Sequence, residues 1–226
     1  MRIRTILLTG GRGVGKTTVC QAVADLARRR GYRPGGVITP ALYACPERSR
    51  RACPESFDLT QDRRSRRVCP ADWEVTKVGF EAVDGGSGER WPLARTDPST
   101  GPSTSSGRSS GHRPEIDGPR VGPYSLDPAG LARALKVLER AISAGCDLLM
   151  VDEIGPLELE QGEGFAPILD LLPFEGPTHT LIVVRPALLD PLLLHLRDIE
   201  WSIFSVTEQN RDELPLRIVE ELWGDG

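Results

Sequence analysis

Residues 10–17, Gly-Gly-Arg-Gly-Val-Gly-Lys-Thr, restrict the possible fold of this chain more than any other segment. They match the pattern Gly-x-x-x-x-Gly-Lys-Thr, and they lie between an apolar run and an amphipathic stretch. Glycines accept the dihedral angles that turn several backbone N–H groups towards phosphate oxygens, and they allow a close approach. The pattern therefore predicts a phosphate-binding loop that opens a helix, whose N-terminus adds partial positive charge.

This predicted loop contains both side-chain and backbone ligands for a nucleotide. We expect the Lys16 ammonium to reach the β- and γ-phosphates and the Thr17 hydroxyl to bind Mg²⁺. The Thr18 hydroxyl is placed to contact the α-phosphate. The predicted nucleotide-binding residues of the loop are Gly10, Gly11, Arg12, Gly13, Val14, Gly15, Lys16, Thr17 and Thr18.

A second candidate site lies in residues 148–153, where an apolar run ends in two acidic residues. This arrangement resembles a Walker B motif, in which Asp152 would hold Mg²⁺ through its water shell. Glu153 would then polarise the attacking water. Alone, the acidic pair could equally cap a following turn. Its occurrence together with the phosphate-binding loop favours the metal site.

Further candidates each have a competing structural explanation. Glu158 extends the acidic cluster and is a candidate supporting residue. Arg185 follows an apolar run and could meet the γ-phosphate as an intramolecular arginine finger, or it could be a solvated loop arginine. Asn210 and Arg211 are expected to contact base or ribose, because loops at the carboxyl ends of strands line the ligand crevice. The alternative is that Thr207 or Asn210 caps a helix.

Apolar runs alternate with helical patterns along the chain, which is typical of an α/β protein. Continuous apolar strands indicate a parallel sheet that is covered on both faces. The predicted strands are residues 3–9, 36–39, 148–151, 180–184 and 202–206, with an added hairpin of residues 74–83 and 90–95. The predicted helices are residues 17–30, a helix that begins at Asp127-Pro128 and ends before Gly145, and residues 165–172, 188–196 and 216–223.

Two segments interrupt this alternation. Residues 41–72 contain a near-repeat of Arg-Ser-Arg-Arg, and residues 96–119 repeat Pro-Ser-Thr and Ser-Ser-Gly. Such polar sequences bury too little apolar surface to offset their ordering entropy. An arginine-rich patch could bind nucleic acid, but the composition favours disordered surface insertions. We therefore expect one domain, residues 1–226, interrupted at 41–72 and 96–119.

Charge and hydropathy restrict the partners. The net charge of −4 lacks the positive excess that is typical of nucleic-acid-binding proteins. No apolar run approaches the roughly 18–20 residues that cross a bilayer, and the N-terminal apolar run is too short for a signal peptide. We expect a cytoplasmic monomer that binds nucleoside triphosphates and no membrane.

The motifs together resemble those of the THEP1-type nucleoside-triphosphatases, small P-loop enzymes of archaea, bacteria and animals. The similar segments are residues 9–18, 35–39, 78–83, 88–95 and 120–124 and, most specifically, residues 151–159 and 203–211. The resemblance implies slow Mg²⁺-dependent hydrolysis of ATP, GTP and other nucleoside triphosphates on a three-layer, RecA-like α/β sheet that is mostly parallel. It also places residues 10–18 around the phosphates and the acidic pair at the metal and the water.

The chain departs from the family after Thr39-Pro40, which runs into the first repeat instead of a Glu-Val-Arg segment. Activity would be reduced if that segment closes over substrate. Two alternatives stay open, a nucleotide or nucleoside kinase and a non-catalytic nucleotide-binding protein impaired by its insertions. For hydrolysis, the predicted catalytic residues are Lys16, Glu153 and Arg185, and the predicted metal ligands are Thr17 and Asp152.

Overall fold

The computed structural model describes residues 4–44, 76–96, 118–175, 179–197 and 199–224. Most of the two expected insertions, residues 45–72 and 97–117, lies outside these ranges. Their expected boundaries need correction, however. Ala41–Ala44 is a strand, because its backbone pairs antiparallel with the strand that contains Phe80. At the second segment, Thr96 ends a strand, and the carbonyl oxygen of Pro119 accepts a hydrogen bond from the Leu126 N–H.

Strands and helices alternate as the sequence predicts, and the ends of the predicted elements differ by no more than three residues. The three short strands β3, β6 and β7 and the one-turn helix α3 were not predicted. In chain order the elements are β1 Arg4–Thr9, α1 Lys16–Arg29, β2 Pro34–Ile38, β3 Ala41–Ala44, β4 Thr76–Asp84, β5 Arg90–Thr96, β6 Arg120–Val121, β7 Tyr124–Leu126, α2 Pro128–Ser143, β8 Leu148–Ile154, α3 Pro156–Leu159, α4 Ala166–Glu175, β9 His179–Val184, α5 Leu189–His195, β10 Trp201–Ser205 and α6 Leu214–Trp223.

A single sheet runs through the described residues in the order β10-β1-β9-β8-β2-β4-β5-β7-β6, and β3 also pairs with β4. Strands β10, β1, β9, β8 and β2 are mutually parallel. From β2 onwards every pairing is antiparallel. The predicted hairpin, β4–β5, is therefore part of a larger antiparallel extension that also contains β3, β6 and β7.

Both faces of the parallel strands are covered by helices. In β1, Ile6 and Leu8 pack with α1 and α6, whereas Leu7 joins the core against α2, α4 and α5. Successive strand residues point to opposite faces, so a strand covered on both sides must be apolar throughout. This layering explains the continuous apolar runs of the sequence and confirms the three-layer α/β architecture. None of the helices within the described ranges is long and apolar enough to cross a membrane.

Local signals define the ends of the helices. The Asp127 carboxylate accepts a hydrogen bond from the Ala129 N–H at 3.1 Å, and Pro128 is the first residue of α2. This is the predicted N-cap, which satisfies a donor that the helix itself leaves unpaired. After α2, Gly145 has a φ of +64°, which turns the chain into β8.

Asp147 and Arg33 join the chain at the start of β8 to the chain at the start of β2. Asp147 Oδ2 accepts hydrogen bonds from the Arg33 N–H at 2.7 Å and from Arg33 Nε at 3.2 Å. The Arg33 side-chain hydrogen bond is the main reason that the pKa of Asp147 lies below its ordinary value. The pair thus contributes to the pairing of the two strands that carry the candidate site.

We predict that Asp147→Asn lowers the free energy of unfolding by about 1 kcal/mol at pH 7, because the charge-assisted hydrogen bonds to Arg33 are weakened. Since folding lowers the pKa of Asp147, its contribution is present above the unfolded-state pKa of about 3.9 and disappears as pH falls through the lower folded value. Urea unfolding at pH 7 and about pH 3 measures both effects.

Asp25→Asn is the matched control, because Asp25 forms an exposed pair with Arg28 one turn along α1, at 2.9 Å. We expect this control to change stability by a few tenths of a kcal/mol. An Asp147→Asn variant that is no less stable than Asp25→Asn at pH 7 would contradict the assigned contribution.

Candidate nucleotide-binding and active site

The loop between β1 and α1 has the backbone that a phosphate-binding loop requires. Gly10, Gly13 and Gly15 have φ values of +143°, +79° and +103°, a region that residues with a side chain rarely adopt. A Cβ atom on Gly10 would lie 2.5 Å from the carbonyl oxygen of Val206. Glycine is therefore needed at the start of the loop both for its dihedral angles and for its close approach to the chain after β10.

Lys16, the first residue of α1, folds back over this loop. Its ammonium donates hydrogen bonds to the carbonyl oxygens of Gly10 and Gly11, each at 2.9 Å. The ammonium is thus held at the loop's own turn, where a bound phosphate group would meet both the charge and the N–H groups at the start of the helix. The sequence prediction for Lys16 is consistent with this position.

Asp152 lies near the carboxyl end of β8, fully buried beside the loop. Its Oδ2 accepts a hydrogen bond from the Thr39 N–H at 3.1 Å. Burial raises the pKa of Asp152 to about 6, while the Thr39 N–H, the Thr17 side chain and the Lys16 charge each act to lower it. These influences show that the structure brings the predicted metal ligands Thr17 and Asp152 together with Lys16.

Mg²⁺ fits this group of residues. Asp152 Oδ1 is buried, and within the described part of the chain it has no hydrogen-bond partner. A hard cation with oxygen ligands is the kind of partner that such an atom can accept. The described residues contain no cluster of three or more His, Cys, Asp or Glu. A P-loop magnesium site does not need such a cluster, since the phosphates, the loop hydroxyl and waters supply most ligands.

Glu153 and Arg185 form an ion pair beside Asp152. Arg185 Nε donates to Glu153 Oε1 at 2.8 Å, and this hydrogen bond is the main cause that raises the pKa of the Arg185 guanidinium. Arg185 follows β9, the strand next to β8, so the sheet order alone brings the two side chains together. The structure therefore places the half-exposed Arg185 side chain against the candidate base. The peptide bond between Asp152 and Glu153 is cis.

Glu158 supports the segment that follows the acidic pair. Its carboxylate is buried, and it accepts hydrogen bonds from the Gly155 N–H at 2.8 Å and the Phe165 N–H at 3.2 Å. Burial raises the pKa of Glu158, and these two N–H groups offset part of that rise. Both oxygens are thus occupied in capping α3 and fixing the entry to α4, which makes Glu158 a structural residue.

The side chain of Asn210 stabilises the loop after β10. Its Oδ1 accepts from the Thr207 N–H at 2.8 Å, and its Nδ2 donates to the Ser205 carbonyl oxygen at 2.9 Å. The Thr207 hydroxyl in turn accepts from the Asn210 N–H at 3.3 Å. These bonds hold the turn of residues 207–210, whereas the N-cap residue of α6 is Glu213, so neither Thr207 nor Asn210 caps a helix and Asn210 stabilises its own turn.

Arg211, one residue later, reaches the phosphate-binding loop. A Cβ atom on Gly15 would lie 3.3 Å from Arg211 Cδ, so the arginine side chain packs directly on the loop. Its Nε is buried, and no acceptor for it is found among the residues that the structure describes. Of the two C-terminal candidates, Arg211 is therefore the one that remains available to a nucleotide.

Lys77 on β4 is a site residue that the sequence analysis missed. Its ammonium lies 3.7 Å from the centroid of the Phe80 ring. Burial and repulsion from Arg12 lower the pKa of Lys77 to about 8, although the charge of Glu153 acts in the opposite direction. Lys77 therefore lies within electrostatic reach of both the loop and the acidic pair. One signal was available in the sequence, which contains only three lysines.

The loop, the acidic strand end and the sheet order together define a P-loop protein of the nucleoside-triphosphate-binding class. A family model described as NTPase matches residues 5–68 and 72–219, and this chain accordingly belongs to that NTPase family. This membership confirms the resemblance that residues 9–18, 151–159 and 203–211 indicate.

Two relatives and one solved structure are similar to this chain over nearly their whole lengths. Nucleoside-triphosphatase THEP1 of Methanopyrus kandleri is 31% identical over 221 residues, which cover 96% of this chain and 94% of the relative. The protein of the same name from Hyperthermus butylicus is 32% identical over 216 residues, which cover 95% of this chain and 89% of that relative. The crystal structure of THEP1 from Aquifex aeolicus aligns with a TM-score of 0.57 at 19% identity, covering 97% of this chain and 99% of that one. The structural likeness supports the fold.

Substitutions of two loop glycines test the geometry of the loop. We predict that Gly13→Ala costs about 1–2 kcal/mol of unfolding free energy, since its φ is positive but no atom lies within 4 Å of the added Cβ. Gly10→Ala should cost clearly more, because strain is combined with a 2.5 Å contact to the Val206 carbonyl oxygen. Equal losses for the two variants in urea unfolding would contradict the close approach at Gly10.

Proposed function

We propose that this chain hydrolyses nucleoside triphosphates, with Mg²⁺, to nucleoside diphosphate and phosphate. One observation carries the proposal: the carboxyl end of β8 brings Asp152 beside Thr17 and Lys16 and, one residue later, presents a carboxylate that is held by Arg185. Asp152 would then supply a metal ligand and Glu153 a base beside the phosphate-binding loop. Membership of the NTPase family supports this chemistry.

The loop and its cations would bind the triphosphate. The N–H groups at the start of α1 and the Lys16 ammonium face phosphate oxygens, and the ammonium exchanges its loop carbonyl partners for them. The Arg211 side chain, packed on Gly15, adds a second charge at the loop. Thr17 and Asp152 would hold Mg²⁺, which when bound neutralises charge on the phosphate oxygens.

Glu153 would orient the attacking water. Arg185 fixes Oε1, and within the described ranges Oε2 has no recorded partner, so Oε2 is available to accept a hydrogen bond from water. A water held in this way is directed at the γ-phosphorus while Lys16 stabilises the charge that develops on the leaving diphosphate. Arg185 then acts by positioning Glu153, rather than as a free arginine finger.

The same geometry supports hydrolysis of several nucleotides. Both polar groups of the Asn210 amide are already engaged within its own loop. Recognition then rests on the triphosphate, which ATP and GTP share, and we propose that the chain hydrolyses both. This assignment follows from the cations around the loop and not from contacts to a base.

Phosphate release from Mg·ATP and Mg·GTP tests the proposal. We predict that Glu153→Gln lowers kcat by at least about 100-fold and leaves nucleotide affinity within a few-fold of the wild type, because only the base is removed. Lys16→Ala should lose both binding and turnover. Glu160→Gln, at an exposed acidic residue directly after α3, is the matched control and should behave as the wild type.

Each result has a distinct meaning. Turnover that is unchanged in Glu153→Gln would exclude Glu153 as the group that orients water. Phosphoryl transfer that appears only after an acceptor nucleotide is added would identify a kinase. Binding of Mg·ATP without turnover in the wild type would identify a nucleotide-binding protein that is not catalytic.

A further inference from the structure

The position of Lys77 has no explanation in the hydrolytic mechanism described so far. It is one of three lysines in the chain, and the other two are Lys16 of the phosphate-binding loop and the exposed Lys136 on α2. Lys77 lies on β4, in the antiparallel extension, and its side chain is half-buried. The ammonium lies above the Phe80 ring, with the Tyr124 ring centroid at 5.5 Å. Cation–π attraction to these two rings keeps the ammonium in one place.

These two rings border the acidic pair. Phe80 and Tyr124 line a cavity of about 90 Å³ whose wall also includes Glu153 and Arg185. The two rings that hold the Lys77 ammonium therefore line the same cavity as the candidate base, Glu153. Lys77 itself belongs to the antiparallel extension, whereas the loop and the acidic pair belong to the parallel strands.

The two carboxylates that attract Lys77, those of Glu153 and Asp152, already have other partners. Arg12 on the loop and Arg185 after β9 both repel it. Glu153 is already paired with Arg185, and Asp152 is buried against the Thr39 N–H. No carboxylate of the described residues lies within ion-pair distance of the Lys77 ammonium. An anion that entered the space beside Lys77 and the two arginines would be attracted by all three cations.

We propose that the Lys77 ammonium binds an oxygen of the terminal phosphate of a bound nucleoside triphosphate. This role rests on the proposed function, which places the γ-phosphate between Lys16 and Glu153. Lys77 then has no partner in a diphosphate complex, and the antiparallel extension takes part in distinguishing triphosphate from diphosphate. In the transition state the same contact stabilises charge on the γ-phosphoryl oxygens.

A purely structural lysine would behave differently. If Lys77 only stabilised the packing of Phe80 and Tyr124, its loss would lower the melting temperature and weaken the binding of both nucleotides equally. A contact with the terminal phosphate instead changes the ratio of the two affinities. The ratio of the dissociation constants for the Mg²⁺ complexes of ADP and of β,γ-imido-ATP is therefore the decisive quantity.

The first experiment compares Lys77→Met, Lys77→Arg and the control Lys136→Met by calorimetric titration with both nucleotides. We expect Lys77→Met to weaken the binding of β,γ-imido-ATP roughly 10- to 100-fold, as for a lost hydrogen bond between charged groups. The binding of ADP should weaken less than about twofold. Lys77→Arg should recover most of the loss, because it keeps the charge. A ratio of affinities in Lys77→Met equal to that of the wild type would overturn the proposal.

The second experiment uses the wild-type chain and so does not depend on how the variants fold. Acetylation with an excess of an N-hydroxysuccinimide ester, read by mass spectrometry, reports all three lysines at once. We expect Mg·β,γ-imido-ATP to protect both Lys16 and Lys77, and Mg·ADP to protect Lys16 alone, with Lys136 as the internal reference. Equal modification of Lys77 in the two complexes would contradict the contact.

These readouts separate the two claims. Protection of Lys77 by the triphosphate in a wild-type chain that releases no phosphate would retain the Lys77 contact and reject hydrolysis. Normal phosphate release with equal modification of Lys77 in the two complexes would retain hydrolysis and reject the contact. A chain that binds neither nucleotide would reject both.

Discussion

The site depends on one buried carboxylate, that of Asp152, at the carboxyl end of the central strand β8. Burying a charge is costly, and here the cost is offset on one oxygen by the Thr39 N–H, while the other oxygen has no partner within the described residues. The strand order fixes the partners of the acidic pair, because Thr39 follows β2 and contacts Asp152, and Arg185 follows β9 and contacts Glu153. A site with one incompletely satisfied acid, one lysine and one hydroxyl is suited to Mg²⁺ and polyphosphate.

The second architectural feature is the change from parallel to antiparallel pairing at β2. The parallel strands carry the loop and the acidic pair, whereas the extension carries Phe80, Lys77 and Tyr124, which lie together. The two halves of the sheet thus surround a common cavity beside Glu153. In the proposed contact with the terminal phosphate, the extension adds the Lys77 cation to the cations of the P-loop half.

The sequence predicted those features of the fold and the site that depend only on residues adjacent along the chain. The glycine spacing of the loop, the acidic end of β8 and the Asp127 cap were all readable, since each involves a few consecutive residues. The position of Lys77 could not be predicted from the sequence, because β4 comes close to the site only through the long-range order of the sheet. Strands β6 and β7, of two and three residues, are too short to show periodicity. The sequence predicted either a nucleotide contact or a helix cap for Asn210, and the structure instead shows it closing a turn ahead of α6.

The central claim is that water held by Glu153 attacks the γ-phosphorus in the site built around Asp152. Turnover of Mg·ATP in ¹⁸O-labelled water, followed by mass spectrometry of both products, tests it most directly. Attack on the γ-phosphorus predicts one labelled oxygen in the inorganic phosphate and none in the ADP. Label in the ADP, or the absence of released phosphate, would contradict the account.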